Sequence, residues 1–154
     1  MLRDSINDAL KDAMKSQDKR RVSTLRLINA AIKNAEIEAR GAGKEALEDD
    51  AILGVLQKMI KQRQESAELY EKGGRPELAA QEREEIEIIS AYLPQQMSDL
   101  EAGSVIQQIV HEINAQGLKD MGRTMAALKE RFAGKMDFAK ASAKVKELLG
   151  GSRS

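Results

Sequence analysis

The sequence contains no cysteine and no tryptophan, and aromatic residues make up only 3% of its 154 positions. Without cysteine the chain can form neither disulfides nor thiolate metal sites, and it has no cysteine nucleophile. A zinc site needs several converging ligands, and the chain has a single histidine, His111, so we expect no metal site. A Walker loop, a dinucleotide fingerprint and a GxSxG elbow are also missing. We therefore expect no cofactor and assign no catalytic residue.

Long apolar runs are missing as well. No run approaches the roughly 18 residues that a membrane-spanning helix needs. The first ten residues, MLRDSINDAL, include Asp4 and Asp8 and lack the apolar segment of a signal peptide. The net charge is zero and 32% of residues are charged, which is typical of soluble helical proteins. We expect no membrane association and a cytoplasmic location.

Apolar residues recur at spacings of three and four along nearly the whole chain, which is typical of helices. This pattern predicts an all-α protein without strands. We expect an N-terminal domain, residues 1–94, that is a bundle of about four helices, and a small C-terminal domain, residues 98–149, of three helices. Pro94 should end the fourth helix, because proline disfavours helix at the preceding residue and clashes with the turn before it.

Helix starts are marked by side chains that accept hydrogen bonds from free backbone N–H groups. The predicted N-caps of the second, fifth, sixth and seventh helices are Asp18, Ser98, Asp120 and Asp137. Ser98 is followed three residues later by Glu101, a spacing that predicts a reciprocal capping box.

The second helix, from Asp18 to about Arg40, is apolar on more than one side. One stripe contains Leu25 and Ile28, whereas Leu27 and Ala30 lie elsewhere on the helix. We expect this helix to be central and covered by neighbours on several sides.

Charged residues interrupt the apolar stripes of the third and fourth helices. A short glycine turn should make these helices antiparallel, and this places Arg63 opposite Glu85. We interpret Arg63 and Glu85 as a structural ion pair that sets the register, with Glu82 beside it, rather than as a catalytic or ligand site. Asn29 and Glu36, on the inner stripe of the second helix, are expected to join this network.

The last predicted helices carry an excess of positive charge. Residues Leu118–Leu149 include 8 basic and 4 acidic side chains, a net charge of +4. The helical pattern places Arg123, Lys140 and Lys144 on outer faces, and Lys135 lies beside a helix start. Helix N-termini and lysines together favour anions. A solvated helical surface explains the same charges without a ligand.

Several motifs, in order along the chain, resemble the GatB/YqeY family and in particular its free-standing YqeY-like members. They are Lys61-Gln62-Arg63, Glu65-Ser66, Tyr92-Leu93-Pro94, Met121-Gly122-Arg123, Met125, Gly134 and Asp137. The resemblance implies a two-part all-helical fold. It also implies that the tail is similar to the C-terminal domain of GatB, a subunit of the tRNA-dependent amidotransferase. In that enzyme the tail helps to hold tRNA, while the chemistry belongs to other domains and subunits.

The resemblance therefore implies a protein that binds tRNA or another folded RNA, with Arg123, Lys135, Lys140 and Lys144 as the contacts. It associates the chain with glutamine-dependent carbon–nitrogen ligase activity but supplies no catalytic set. The expected partners are tRNA or a protein of the aminoacyl-tRNA or amidotransferase machinery. One alternative is a protein-interaction adaptor that does not bind RNA. Another is an amidotransferase component with its own chemistry, which would need a nucleophile or metal that the sequence does not offer. The oligomeric state is not predicted.

Overall fold

The computed structural model describes residues 1–41 and 47–151, and all regular structure in these residues is helical. Seven α-helices and one 3-10 turn occur there: α1 (Leu2–Lys15), α2 (Lys19–Gly41), α3 (Asp49–Lys72), α4 (Pro76–Ser90), α5 (Asp99–Glu112), the 3-10 turn (Leu118–Asp120), α6 (Met121–Phe132) and α7 (Phe138–Gly151). The predicted all-α fold is confirmed. None of these helices combines the length and the apolar character that crossing a membrane would require.

The contacts within the chain divide it into two units, of which the first is Met1–Leu93 and the second begins at Pro94. Each unit has its own core of aliphatic side chains. The first core consists of Ile6, Ala13, Leu25, Ile28, Ile32, Ile52, Leu56, Met59 and Ile89. The second consists of Ile106, Ile109, Leu128, Met136, Ala141, Val145 and Leu149. That the two units are separable domains stays a prediction.

Two of the predicted N-caps at helix starts illustrate how the sequence directs these elements. The capping box of α5 is confirmed, since the Glu101 N–H donates to Ser98 Oγ at 3.1 Å and the Ser98 N–H donates to Glu101 Oε1 at 3.2 Å. Asp18 accepts from the N–H of Arg21 at 3.2 Å at the start of α2. These bonds satisfy N–H groups that a helix start otherwise leaves unpaired.

Asp120 precedes α6, but the prediction that it caps this helix is wrong. Its backbone angles, φ −95° and ψ 5°, differ from the extended conformation of a capping residue, and its side chain makes no capping bond. Its Oδ2 instead accepts from the N–H of Gln116 at 2.7 Å. The carboxylate therefore closes the turn before the helix.

Three helices end in the same way, with one residue in the left-handed conformation. Gln17 (φ 58°), Gly74 (φ 73°) and Asn114 (φ 55°) follow α1, α3 and the end of α5. In each case the next N–H donates to the carbonyl five residues earlier: Asp18 to Ala13, Arg75 to Tyr70 and Ala115 to Val110. This arrangement satisfies the last carbonyls of a helix and reverses the chain.

Helix α4 ends at Ser90, four residues before Pro94, and not at Pro94 itself. The proline ring clashes with the carbonyl four residues earlier, which here belongs to Ser90. After Ser90 the chain forms tighter turns, with hydrogen bonds between residues three apart. The N–H of Tyr92 donates to the carbonyl of Ile89 and the N–H of Leu93 to the carbonyl of Ser90, both at 3.1 Å. Leu93 still packs against the first core.

Helix α2 is covered on one side only, so the expectation of neighbours on several sides is wrong. Its contacts with α1, α3 and α4 bury Leu25 and Ile28 completely. On the opposite side Leu27 is 45% exposed and Ile37 is 56% exposed. The three neighbouring helices all pack against the first stripe, which leaves the second without a partner among the residues that the structure describes.

The antiparallel pair of α3 and α4 brings Arg63 and Glu85 together. Arg63 Nε lies 2.8 Å from Glu85 Oε2, and the two side chains are only 14% and 17% exposed. Arg63 also donates through Nη1 to the carbonyl of Met59 at 3.1 Å. The guanidinium thus connects two turns of α3 to one acid of α4.

Asn29 and Glu36 do not join this network, contrary to expectation. Asn29 Nδ2 donates to Asn7 Oδ1 at 3.1 Å, and Glu36 forms an ion pair with Arg3. Both interactions connect α2 to α1. The inner face of α2 meets three helices, α1, α3 and α4, and Asn29 and Glu36 bond to the first of these.

Glu82 lies one turn before Glu85 and is half-buried. Burial raises its pKa above the ordinary value, the charge of Glu85 raises it further, and the charge of Arg63 opposes this effect. One guanidinium therefore faces two acids. The structure brings the three residues of the predicted network into one electrostatic cluster.

We expect Arg63→Met to destabilise the protein more than the double change Arg63→Met with Glu85→Leu. The single change leaves a carboxylate half-buried and unpaired, which would cost about 3–5 kcal/mol if fully buried and roughly 1–3 kcal/mol at this exposure. Urea unfolding of the two single variants and the double variant would measure the coupling. Strictly additive losses would show that the pair contributes no mutual stabilisation.

Glu82→Gln should raise the stability of the protein at neutral pH. Because the folded-state pKa of Glu82 is raised above 4.5, the native protein loses stability as pH rises through this window and the carboxyl ionises. The neutral variant avoids that loss, so its advantage over the wild type should vanish as pH falls below 4.5. Unfolding free energies over a pH series would test this, with the exposed Glu87→Gln as control. A neutral-pH loss of stability in Glu82→Gln beyond that of the control would contradict the prediction.

Candidate functional site

The exposed lysines of the second unit include the three predicted contacts, Lys135, Lys140 and Lys144, which we call the lysine face. Helix α7 turns Ala141 and Val145 into the core, where they are 4% and 0% exposed. Lys140 and Lys144, four residues apart and each one position before a core residue, lie together on an exposed flank of the helix. Within residues 1–41 and 47–151, no ion pair engages any of the three side chains. Their charges remain available to a ligand.

Lys135 belongs to the turn between α6 and α7, and this turn is held by the segment that follows Pro94. Gly134 adopts φ 75°, a left-handed conformation that glycine permits without a steric cost. Its carbonyl accepts from Gln96 Nε2 at 2.6 Å, and the carbonyl of Lys135 accepts from the N–H of Met97 at 2.9 Å. The backbone of Lys135 is thus fixed while its side chain extends into solvent.

Two N–H groups at the start of α7 are already engaged and are not free for a phosphate. Asp137 Oδ1 accepts from the N–H groups of Ala139 and Lys140 at 2.9 Å and 3.3 Å. These bonds confirm Asp137 as the N-cap, and they place a negative charge where an anion would bind. The attraction that was expected from this helix start is therefore weakened, and the lysine side chains are the main source of positive charge there.

Arg123 lies on the outer side of α6, as predicted, but its guanidinium is already engaged. Nη1 donates to the carbonyl of Ile113 at 2.8 Å, and Nη2 lies 3.4 Å from Asp120 Oδ1. The N–H of Gln116 lowers the pKa of Asp120, and the charge of Arg123 lowers it further. Arg123 is 54% exposed, so part of the guanidinium still meets solvent, but its first role is to tie the end of α5 to α6.

Two features of this surface were missed from the sequence. Glu147 is exposed and lies three residues after Lys144, so this acid shares the outer side of α7 with Lys140 and Lys144. Arg131 is a further cation of the unit, but it pairs with Glu112 at 2.7 Å. The helical spacing from Lys144 could have revealed Glu147, whereas the partner of Arg131 depends on how α5 and α6 pack.

Metal binding and the enclosure of a small ligand were the other kinds of site to consider in the described residues. No group of three acidic or histidine side chains among them could hold a metal ion. The predicted cations lie on three different elements: Lys140 and Lys144 on α7, Lys135 in the preceding turn, and Arg123 on α6, where it is bonded to the end of α5. Such an arrangement can follow an extended anionic backbone better than it can enclose a small ligand.

Comparisons with a family model and with curated proteins both relate this chain to known proteins. The family model described as "Yqey-like protein" matches residues 3–149. "Altered inheritance of mitochondria protein 41, mitochondrial" of Lachancea thermotolerans is 41% identical over 86 residues, which are 56% of this chain and 44% of that protein. The protein of the same name from Pyrenophora tritici-repentis is 27% identical over 147 residues, 92% of this chain and 77% of the relative. That of Clavispora lusitaniae is 34% identical over 113 residues, 72% of this chain and 64% of the relative.

The chain spans less than half the length of several curated relatives. It covers 44% of the proteins of this name from Lachancea thermotolerans, Vanderwaltozyma polyspora and Eremothecium gossypii. These relatives are named as mitochondrial proteins, and this overturns the expected cytoplasmic location. The expectation rested on composition and on the absence of an apolar leader. Neither can distinguish the cytoplasm from the aqueous interior of an organelle, because both place the same demands on a protein surface.

Arg123→Ala should destabilise the protein by about 0.5–1.5 kcal/mol, the usual net value of one hydrogen bond, because the Ile113 carbonyl loses its donor. Arg123→Lys should recover part of this loss, since a lysine can donate to only one of the two partners at a time. Urea unfolding measures both variants. Lys129→Ala, an exposed change on the same helix, is the control, and equal stabilities of Arg123→Ala and Lys129→Ala would contradict this role for Arg123.

Proposed function

The chain belongs to the YqeY-like protein family, and on that premise we propose that its second unit binds the phosphate backbone of a folded RNA, with tRNA as the first candidate. The observation that carries the proposal is the lysine face, whose three ammonium groups are exposed and form no ion pair within the described residues. The likeness of the tail to the tRNA-holding tail of GatB supports the same ligand. We assign no reaction to the chain.

Electrostatics favours a phosphate backbone over a single anion. Lys140 and Lys144 are one helical turn apart, a spacing that lets both side chains follow the same strand. Residues Leu118–Leu149 carry a net charge of +4, which adds a weak general attraction. Arg123 contributes from its exposed part, while most of the binding is assigned to the lysines because the guanidinium is held by Ile113 and Asp120.

The surface offers no platform for reading unpaired bases. Both phenylalanines of the second unit, Phe132 and Phe138, are half-buried against its core, and both tyrosines of the chain lie in the first unit. Recognition of single strands usually relies on aromatic stacking. The proposed ligand is therefore a structured RNA that is recognised by shape and backbone charge.

Replacing Lys135, Lys140 and Lys144 together by Ala should weaken tRNA binding without changing which RNA is preferred, because phosphate contacts position rather than specify. With three phosphates neutralised, the logarithm of the affinity should fall against the logarithm of salt concentration with a slope of roughly −2 to −3. The triple variant should lose most of this slope. Fluorescence anisotropy with labelled tRNA over a salt series measures both quantities.

A matched control removes the same charge elsewhere: Lys11, Lys15 and Lys58, all exposed in the first unit, are replaced by Ala. This variant should bind like the wild type. Glu147→Gln should bind more tightly, since it removes the acid beside Lys140 and Lys144. Equal affinities of the wild type and the lysine-face variant would reject the proposal and favour the adaptor function instead.

A further inference from the structure

The uncovered side of α2 has a regular pattern of its own. Before its terminal residue Gly41, its exposed, uncharged residues are Ser23, Leu27, Ala30, Asn34 and Ile37, at spacings of four, three, four and three. This alternation is the heptad repeat of a two-stranded coiled coil. Leu27 and Asn34 take the a positions, and Ser23, Ala30 and Ile37 take the d positions. We call these five residues the outer seam; they span about 21 Å along the helix.

We propose that the outer seam is a homodimer interface, in which α2 packs in parallel and in register against α2 of a second copy of this chain. The apolar members supply the contact, since Leu27 and Ile37 are 45% and 56% exposed. Asn34 indicates that the partner on the outer seam is a second copy of the same helix. In a parallel, in-register pair it meets the partner's Asn34, and two side-chain amides can satisfy each other. A single asparagine at an a position is a known device for fixing dimer register.

The flanking charges also favour a second copy in parallel orientation. The g positions are Arg26, Lys33 and Arg40, and Glu38 occupies an e position; all four are exposed. In a parallel pair, each g residue meets the e residue five positions later on the partner, which joins Lys33 to the partner's Glu38 twice by symmetry. An antiparallel pair would instead bring the three cations of one g row against those of the other.

The interface should be weak and reversible. Ser23 and Ala30 are small, so the helices can approach closely but bury little area, and the seam is short for a coiled coil. Met14, which is 48% exposed and accepts a bond through its sulfur from Arg26 Nη2 at 3.9 Å, adds apolar surface beside the first seam residue. We therefore expect dimers that dissociate on dilution.

Sedimentation velocity of the full chain over a concentration series tests the association. The wild type should show a concentration-dependent dimer. Leu27→Glu and Ile37→Glu should each weaken it roughly tenfold or more, because a charge is forced into the apolar contact. Leu69→Glu is the matched control, since Leu69 is 69% exposed on α3, away from the seam, and this variant should dimerise like the wild type. A wild type that stays monomeric at every concentration would overturn the proposal, as would equal effects of the three variants.

Because the chain contains no cysteine, one introduced thiol reports the orientation without background. Ser23→Cys should form an intermolecular disulfide under mild oxidation, since residue 23 meets its own copy only in a parallel pair. In an antiparallel pair the two thiols would be separated by about the length of the seam, and no disulfide would form. Ser104→Cys, exposed on α5 of the second unit, is the control and should stay reduced.

A charge exchange tests the pairing of Lys33 with the partner's Glu38. Lys33→Glu and Glu38→Lys should each weaken the dimer about three- to tenfold, and the double variant should restore it. An antiparallel dimer gives the opposite result for Lys33→Glu, because one repulsion between like charges disappears. Tighter association of this variant would therefore reject the parallel arrangement.

Discussion

Each helix leaves N–H groups unpaired at its start and carbonyls unpaired at its end, and several polar side chains of this protein are used to satisfy them. Asp137 satisfies two N–H groups of α7, Arg123 donates to the carbonyl at the end of α5, and Gln96 donates to the carbonyl of Gly134. Residues that resemble parts of an anion site are thus partly used to complete the backbone. What remains for a ligand is the set of side chains that no helix end requires, and these are the lysines.

The same constraint explains how far the sequence predicts the structure. Local signals could be interpreted from the sequence in several cases, as the capping box of Ser98 and Glu101 shows, because both partners lie within one turn of chain. The predicted N-cap Asp120 failed, because its carboxylate bonds to the turn before the helix instead. The placement of Arg63 against Glu85 could also be anticipated, since a short turn determines which residues of two antiparallel helices face each other. The partner of Arg123 could not, because the Ile113 carbonyl approaches it only when α5 and α6 pack. The uncovered stripe of α2 was missed for a related reason: apolar spacing reports that a face is suited to packing, not that a neighbour is present.

The cluster of Arg63, Glu82 and Glu85 carries more negative than positive charge. An ion pair of this kind contributes little net stability once desolvation is counted, but it penalises wrong alignments, because a shifted register would leave each charge half-buried without its partner. Glu82 adds a cost that an isolated pair would not have, as its raised pKa shows. The hairpin of α3 and α4 therefore gives up some stability at neutral pH while it specifies one alignment.

The short segment after Pro94 determines where a gene encoding the C-terminal unit could be divided without loss of hydrogen bonds. Gln96 and Met97 lie before α5, yet they bond to the carbonyls of Gly134 and Lys135 and so close the turn that carries the first residue of the lysine face. A copy of the tail that began at the capping box would leave both carbonyls without donors. Genetic transfer of the tail between proteins would thus preserve these two bonds only if the crossover point lay upstream of Gln96.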